Sequence, residues 1–142
     1  MKNFTSKDVD LFNKKIKEHP LTQIAVSIIT NQPFSDVECV NVEQLKKTYE
    51  AIKEVATISG FEDLPIKTSI VDRVFSQHEK TIQELFDKIT KTDESIMTAM
   101  FDKFSFGQIC TQTKAVKRYI IDAVLYDMAF KLYKWCDNLL GD

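Results

Sequence analysis

The sequence predicts an all-α fold, a single-domain bundle of five or six helices around a long apolar C-terminal helix, and three observations lead there. Glycine and proline are scarce, three of each in 142 residues, and most fall where a helical run ends. Apolar residues recur at spacings of three and four along most of the chain, which is the period of one helix face. The final stretch is apolar around most of its circumference, so it must be covered on most sides. A chain of this length fits one domain, residues 1–142, and buries roughly 70% of its unfolded surface without needing a staple.

Thr5 or Ser6 can cap a first helix in which Val9, Phe12 and Ile16 share a face. The His19-Pro20 step ends it, because a residue before proline avoids the α region. His19 is then the solvated last residue of that helix, well placed on its dipole. Pro20 opens a second helix with Leu21, Ile24, Ala25 and Ile28 on one side. Residues 21–29 carry enough β-branched side chains that a buried strand is the competing reading. In "NQPFSDVECVN", Ser35 and Glu38 have capping-box spacing and Phe34 and Cys39 take the staple positions, which predicts a short helix or turn. Asn41 and Gln44 cap the next helix, whose apolar side is Val42, Leu45, Tyr49, Ile52 and Ala56 and which Gly60 stops.

Beyond the loop "GFEDLP", Val71, Val74, Phe75, His78, Ile82, Leu85, Phe86 and Ile89 mark a helix over about 69–91. Thr92 or Asp93 caps a shorter one that turns Ile96, Met97, Met100, Phe101 and Phe104 toward a core. The last helix runs from about Thr113 to Leu140. One face carries Ile121, Leu125, Met128, Leu132, Trp135 and Leu139, and another carries Val116, Tyr119, Ile120, Ala123, Tyr126, Phe130 and Tyr133. Asp127, Lys131 and Lys134 leave it a narrow wet strip. No repeat, low-complexity run or linker divides the chain.

With 44% hydrophobic and 28% charged residues, the chain belongs with ordinary globular proteins and not with disordered or membrane ones. A formal net charge of -2 supplies no global drive toward nucleic acid. Arg73 and Arg118 are the only arginines, so the side chain that best reads phosphate and guanine is rare. Cys39, Cys110 and Cys136 are odd in number and lack C-x-x-C spacing, which argues against a disulfide framework and for a reducing compartment. The N-terminus has no apolar signal region and no stretch is long enough to span a bilayer. A cytoplasmic location is the expectation.

The segment 103–121 is the exception to the acidic balance: Lys103, Lys114, Lys117 and Arg118 occur there with no acid. A helix-turn-helix that reads DNA would use such a segment, but it usually has glycine in its turn and keeps its recognition helix on the surface. "CTQT" lacks the glycine, and the following helix becomes apolar all round within two turns. The competing reading has Thr113 capping that helix and Arg118 pairing with Asp122 four residues on. Basic groups at a helix N-terminus oppose its dipole, and that keeps an anionic or acidic partner in view.

Catalytic signals are thin. Neither His19 nor His78 follows a glutamate by three, as a di-iron bundle requires. His78 lies in an apolar register, the usual setting of a core histidine. Glu84 and Asp87 have the Glu-x-x-Asp spacing of helical magnesium-dependent nucleotide hydrolases, but Glu50 and Glu54 are spaced by four where a second Glu-x-x-Glu would be needed. No glycine-rich phosphate loop or nucleophile elbow is present. Phe34 in "NQPFS" and Phe61 in "SGFED" read as local hydrophobic caps or, functionally, as anchors for a partner.

The expectation is therefore a small non-catalytic interaction or regulatory protein, without cofactor or metal, that binds and modulates a protein partner. Lysine-rich, motif-poor domains of this size are common among phage and mobile-element proteins that act on a host factor. Lys103, Lys114, Lys117, Arg118, Phe34 and Phe61 are its candidate contact residues, and self-association through the C-terminal helix is a further expectation. A DNA-binding regulator using residues 103–121 is the alternative, and a magnesium-dependent nucleotide hydrolase is the third reading.

Overall fold

Thr5 opens the first helix with a reciprocal pair of bonds. Its hydroxyl accepts from the Asp8 amide at 3.4 Å, and its own amide donates to the Asp8 carboxylate at 2.8 Å. Ser6–Lys17 (α1) then buries Val9, Phe12 and Ile16 on the expected face. Pro20–Thr30 (α2) is helical, which decides between helix and strand for that segment. His19 is a correction: its carbonyl accepts from the amides of Thr22 and Gln23, so it belongs to the start of α2 and not to the last turn of α1. Asn31, at φ 52°, ends α2. Its amide and that of Gln32 reach back to the carbonyls of Ile28 and Ser27, a left-handed stop that asparagine tolerates better than most residues.

The computed structural model describes residues 3–32, 37–58, 64, 67–92 and 94–139, all of them helix, turn or coil. The fold is all-α. Phe34, Phe61, Ser35, Gly60 and Asp93 lie outside the described residues. The other helices are α3 (Val42–Ala56), α4 (Thr68–Thr92), α5 (Glu94–Lys103), α6 (Phe106–Thr111) and α7 (Lys114–Leu139). Of these, α6 is the helix that periodicity does not predict.

The chain falls into two compact units, Met1–Gly60 with Leu125–Asp142, and Phe61–Val124. In the first, α1 packs on α2 and α3, and α2 on α3. Asn13 joins α1 to the segment before α3 through a two-way amide clip, donating to the Cys39 carbonyl and accepting from the Cys39 amide, each at 2.8 Å. Lys17 pairs with Glu38 beside it. Asn41 caps α3 by accepting from the Gln44 amide at 2.8 Å. The helix stops at Ala56, earlier than Gly60 would stop it, and the Thr57 hydroxyl donates to the Lys53 carbonyl at 2.7 Å.

The C-terminal part of α7 completes this unit. Leu125, Ala129, Leu132 and Cys136 form its buried stripe, at steps of four, three and four. Phe130 and Leu139, assigned to apolar faces by periodicity, are exposed. Past Leu125 the helix is covered on one side, so a residue's hydrophobicity no longer decides its burial. Tyr49 of α3 is the main polar tie: its hydroxyl donates to Asp137 at 2.7 Å while its ring stacks on Tyr133 and meets the edge of Phe4. Burial first, and the Asp137 carboxylate second, hold its phenol well above the ordinary range.

In the second unit α4 packs on α5. Helical geometry in α4 breaks at His78 (φ -129°, ψ 28°), which the sequence gives no proline or glycine to announce. Two residues earlier, the Ser76 hydroxyl donates to the Asp72 carbonyl at 2.9 Å, a back-bond that bends helices. Ile82, Met100 and Phe104 are buried here. Phe101, expected in the core, is 49% exposed. From Tyr119 to Leu125 all seven residues of α7 are buried, as an all-round apolar stretch requires.

Candidate interaction surface

Ser105 begins the part of the second unit that is least explained by its core. Its hydroxyl accepts from the Gln108 amide at 3.2 Å and its amide donates to the Gln108 side chain at 2.9 Å, a complete capping box. Six residues later Gln112 adopts φ 49°, and the amides of Gln112 and Thr113 return to the carbonyls of Ile109 and Gln108. Both ends of α6 are thus fixed locally. Between them no residue is buried: Phe106 is 70% exposed, Cys110 is exposed one turn on, and Ile109 is half-buried. Leaving a phenylalanine in water forgoes most of the roughly 1.5–3 kcal/mol that burying it would return. Phe101, on the preceding helix, adds a second exposed ring.

The turn at "CTQT" is made without the glycine that a helix-turn-helix usually has there, by Gln112 in the left-handed region. It joins α6 to α7, whose first residues are held by Thr113: its hydroxyl accepts from the Val116 amide at 3.4 Å. The basic residues then divide into two kinds. Arg118 lies with its Nε 2.9 and 3.0 Å from the Asp122 carboxylate oxygens, and its remaining nitrogens donate to Thr68 Oγ1 and the Leu64 carbonyl at 3.5 and 3.4 Å. It therefore ties α7 to the start of α4, and the expected pairing with Asp122 is present. Lys103 and Lys114 are exposed and Lys117 is half-buried. The Lys103 ammonium lies 5.4 Å from the Tyr119 ring centre and 5.9 Å from that of Phe104, whose edge meets Tyr119.

Lys114 and Lys117 occupy the first turn of α7, which contains no acid. Each charge there opposes the dipole by about 0.3–1 kcal/mol. In α1, α3 and α5 the first turn carries Asp8, Glu43 and Glu94 instead. The first turn of α7 thus carries bases where those of α1, α3 and α5 carry an acid.

Other candidates gather less. Glu84 and Asp87 are exposed on α4, where Asp87 accepts from Gln83 at 3.2 Å, and Glu50 and Glu54 are exposed on α3. Among the described residues no three His, Cys, Asp or Glu side chains come together as a metal site. In the first unit, a groove of about 600 Å³ lies between the end of α2 and the start of α3, lined by Ile29, Gln32, Val40 and Gln44 among others. Its charged lining residues, Glu43 and Lys47, approach each other to 3.8 Å, and the Gln44 side chain is engaged by the Val40 amide. On α7, Phe130 stacks with Tyr126 beneath the Lys134 ammonium, and Lys131 pairs with Asp127 at 2.9 Å.

Sequence reasoning passes over Phe101, Phe106 and Cys110 as surface groups. The signal for α6 was present in "SFGQ", an S-x-x-Q box followed by too few residues to reach a core. No described helix is long and apolar enough to cross a membrane. Compared with protein-family models, curated proteins and solved structures, the chain matches none.

Proposed function

We propose that the chain is a small non-catalytic interaction protein, and that it meets a protein partner through α6 and the exposed ring of Phe101. The observation that carries this reading is the exposure of Phe106 on a helix capped at both ends and buried nowhere. A segment whose shape is fixed by its caps can present a side chain without depending on the core. Aromatic side chains held in this way are the usual anchors of an interface. A photo-crosslinking amino acid at position 106, with position 80 on the exposed face of α4 as control, tests it in cells that make the protein. A discrete protein adduct from 106 and none from 80 is the expected result. Equal labelling at both positions would sink the reading.

DNA binding by residues 103–121 has less in its favour. The one guanidinium of the segment is engaged by Asp122, Thr68 and Leu64, so base or phosphate contact would fall to lysines. Self-association through α7 draws support from Leu139, 62% exposed at the end of that helix. Sedimentation velocity of the wild type and Leu139→Ser checks it, with a concentration-dependent shift in the wild type alone as the supporting outcome.

A further inference from the structure

We propose that the outer side of α7 is self-complementary: Asp127, Phe130, Lys131 and Lys134 pair antiparallel with the same four residues of a second copy of this chain. The proposal rests on the self-association reading above, gives it a geometry, and is independent of α6. Steps of three, one and three place these residues on one side of the helix. They lie away from Leu125, Ala129, Leu132 and Cys136, the stripe buried in the first unit. Phe130 keeps 41% of its surface exposed on that side. Its ring stacks on Tyr126 at 6.5 Å, and the Lys134 ammonium stands 5.5 Å from its centre. Asp127 gives one carboxylate oxygen, Oδ2, to Lys131 at 2.9 Å, and its Oδ1 accepts no bond among the described residues. Lys134 has no carboxylate partner among the described residues.

The order of the charges selects both the occupant and its direction. The midpoint of the face lies between Phe130 and Lys131, with Asp127 three residues before the one and Lys134 three residues after the other. Reversing the face therefore exchanges acid for base. A two-fold axis through the midpoint sets Asp127 of each copy opposite Lys134 of the other, and it brings the two Phe130 rings together near the axis. Such a contact is isologous and closes after two chains. A parallel pair would set Asp127 on Asp127 and Lys134 on Lys134, and like charges disfavour it. The exposed ion pairs fix direction more than they add affinity. The Phe130 rings supply the apolar anchor. From Asp127 to Lys134 the helix rises about 10 Å, so the contact is smaller than the roughly 1,200 Å² of a standard interface and forms only at high protein concentration.

Sedimentation equilibrium of the intact chain from about 10 μM to about 1 mM tests the pairing, with Asp127→Lys and Lys134→Asp measured alone and mixed. Both positions reach solvent, and thermal melts establish that each variant is folded. The wild type should move from the mass of one chain toward that of two. Each reversal sets like charges against each other twice in its own dimer, so its association constant should fall about tenfold. Mixed in equal amounts, the two variants should regain wild-type association, because each then offers the charge that the other lacks. Phe130→Ser should weaken association to a similar degree with no change of charge. Wild-type association that both reversals leave untouched and Leu139→Ser abolishes would overturn the antiparallel face and leave self-association standing. Weakening by both reversals with no recovery on mixing would overturn the face as well. A wild type that stays one chain up to about 1 mM would overturn both.

Discussion

Asp122 is a carboxylate with 5% of its surface exposed, and Arg118 is what makes that burial tolerable. Replacing Arg118 with Met should cost about 3–5 kcal/mol, because it removes the charged partner of a buried carboxylate. Arg118→Lys should fall between, since an ammonium cannot serve Asp122, Thr68 and Leu64 together. Urea titration reads both, and a loss below about 1 kcal/mol for Arg118→Met would contradict the role given to the pair. Tyr49 makes a different prediction. Its phenol is held above its unfolded value, so the folded state keeps a proton that the unfolded chain releases above about pH 10. The stability this contributes is fully present below that pH and drains away above it, by about 1.4 kcal/mol per pH unit. Tyr49→Phe loses one hydrogen bond, about 1 kcal/mol at neutral pH, but none of the alkaline loss. The two stability curves should therefore converge as the pH rises above about 10. Parallel curves would contradict the buried, Asp137-bonded setting of the Tyr49 phenol.

The helix α6 separates local order from burial, and mutagenesis can read that separation. Phe106→Ser should change stability by no more than about 0.5 kcal/mol, whereas Phe104→Ala, two residues away and 8% exposed, should cost about 3–5 kcal/mol. Chemical denaturation of the two variants checks the contrast, and a large loss at Phe106 would place that ring in the core. The same distinction explains what could be read from the sequence. Caps at Thr5, Asn41 and Thr113 are legible because each depends on a residue three positions away. The faces of α1 and α3 are legible because one continuous stripe is buried in each. Phe101 and Phe130 fit their stripes equally well and are exposed, since periodicity fixes which residues share a face and not whether anything covers it. The break at His78 and the left-handed Gln112 have no glycine or proline to mark them. Of the candidate contact residues, the exposed lysines were legible from charge, and Phe106 from a cap that was overlooked.

Across the whole molecule, the three thiols report on the two units separately. Cys39 and Cys136 are buried in the unit formed by Met1–Gly60 and Leu125–Asp142, and Cys110 is exposed in the other. Burial pushes the Cys39 thiol up, with the Thr48 hydroxyl a smaller opposing influence, so its reactive thiolate is scarcer still. Iodoacetamide should modify Cys110 first. Cys39 and Cys136 should follow only on opening of their unit, and at matching rates, as peptide mass spectrometry will show. Fast labelling of Cys39 in the native protein would contradict its burial. A further consequence follows from how the first unit is assembled. Its two stretches are separated along the chain by the whole of Phe61–Val124. A ribosome therefore releases α1, α2 and α3 well before Leu125, Ala129, Leu132 and Cys136 exist to cover them. At ordinary synthesis rates of about 5–20 residues per second, that interval is several seconds. The part of the first three helices' apolar surface that α7 covers stays exposed for that interval, and a nascent-chain chaperone has its clearest opportunity there.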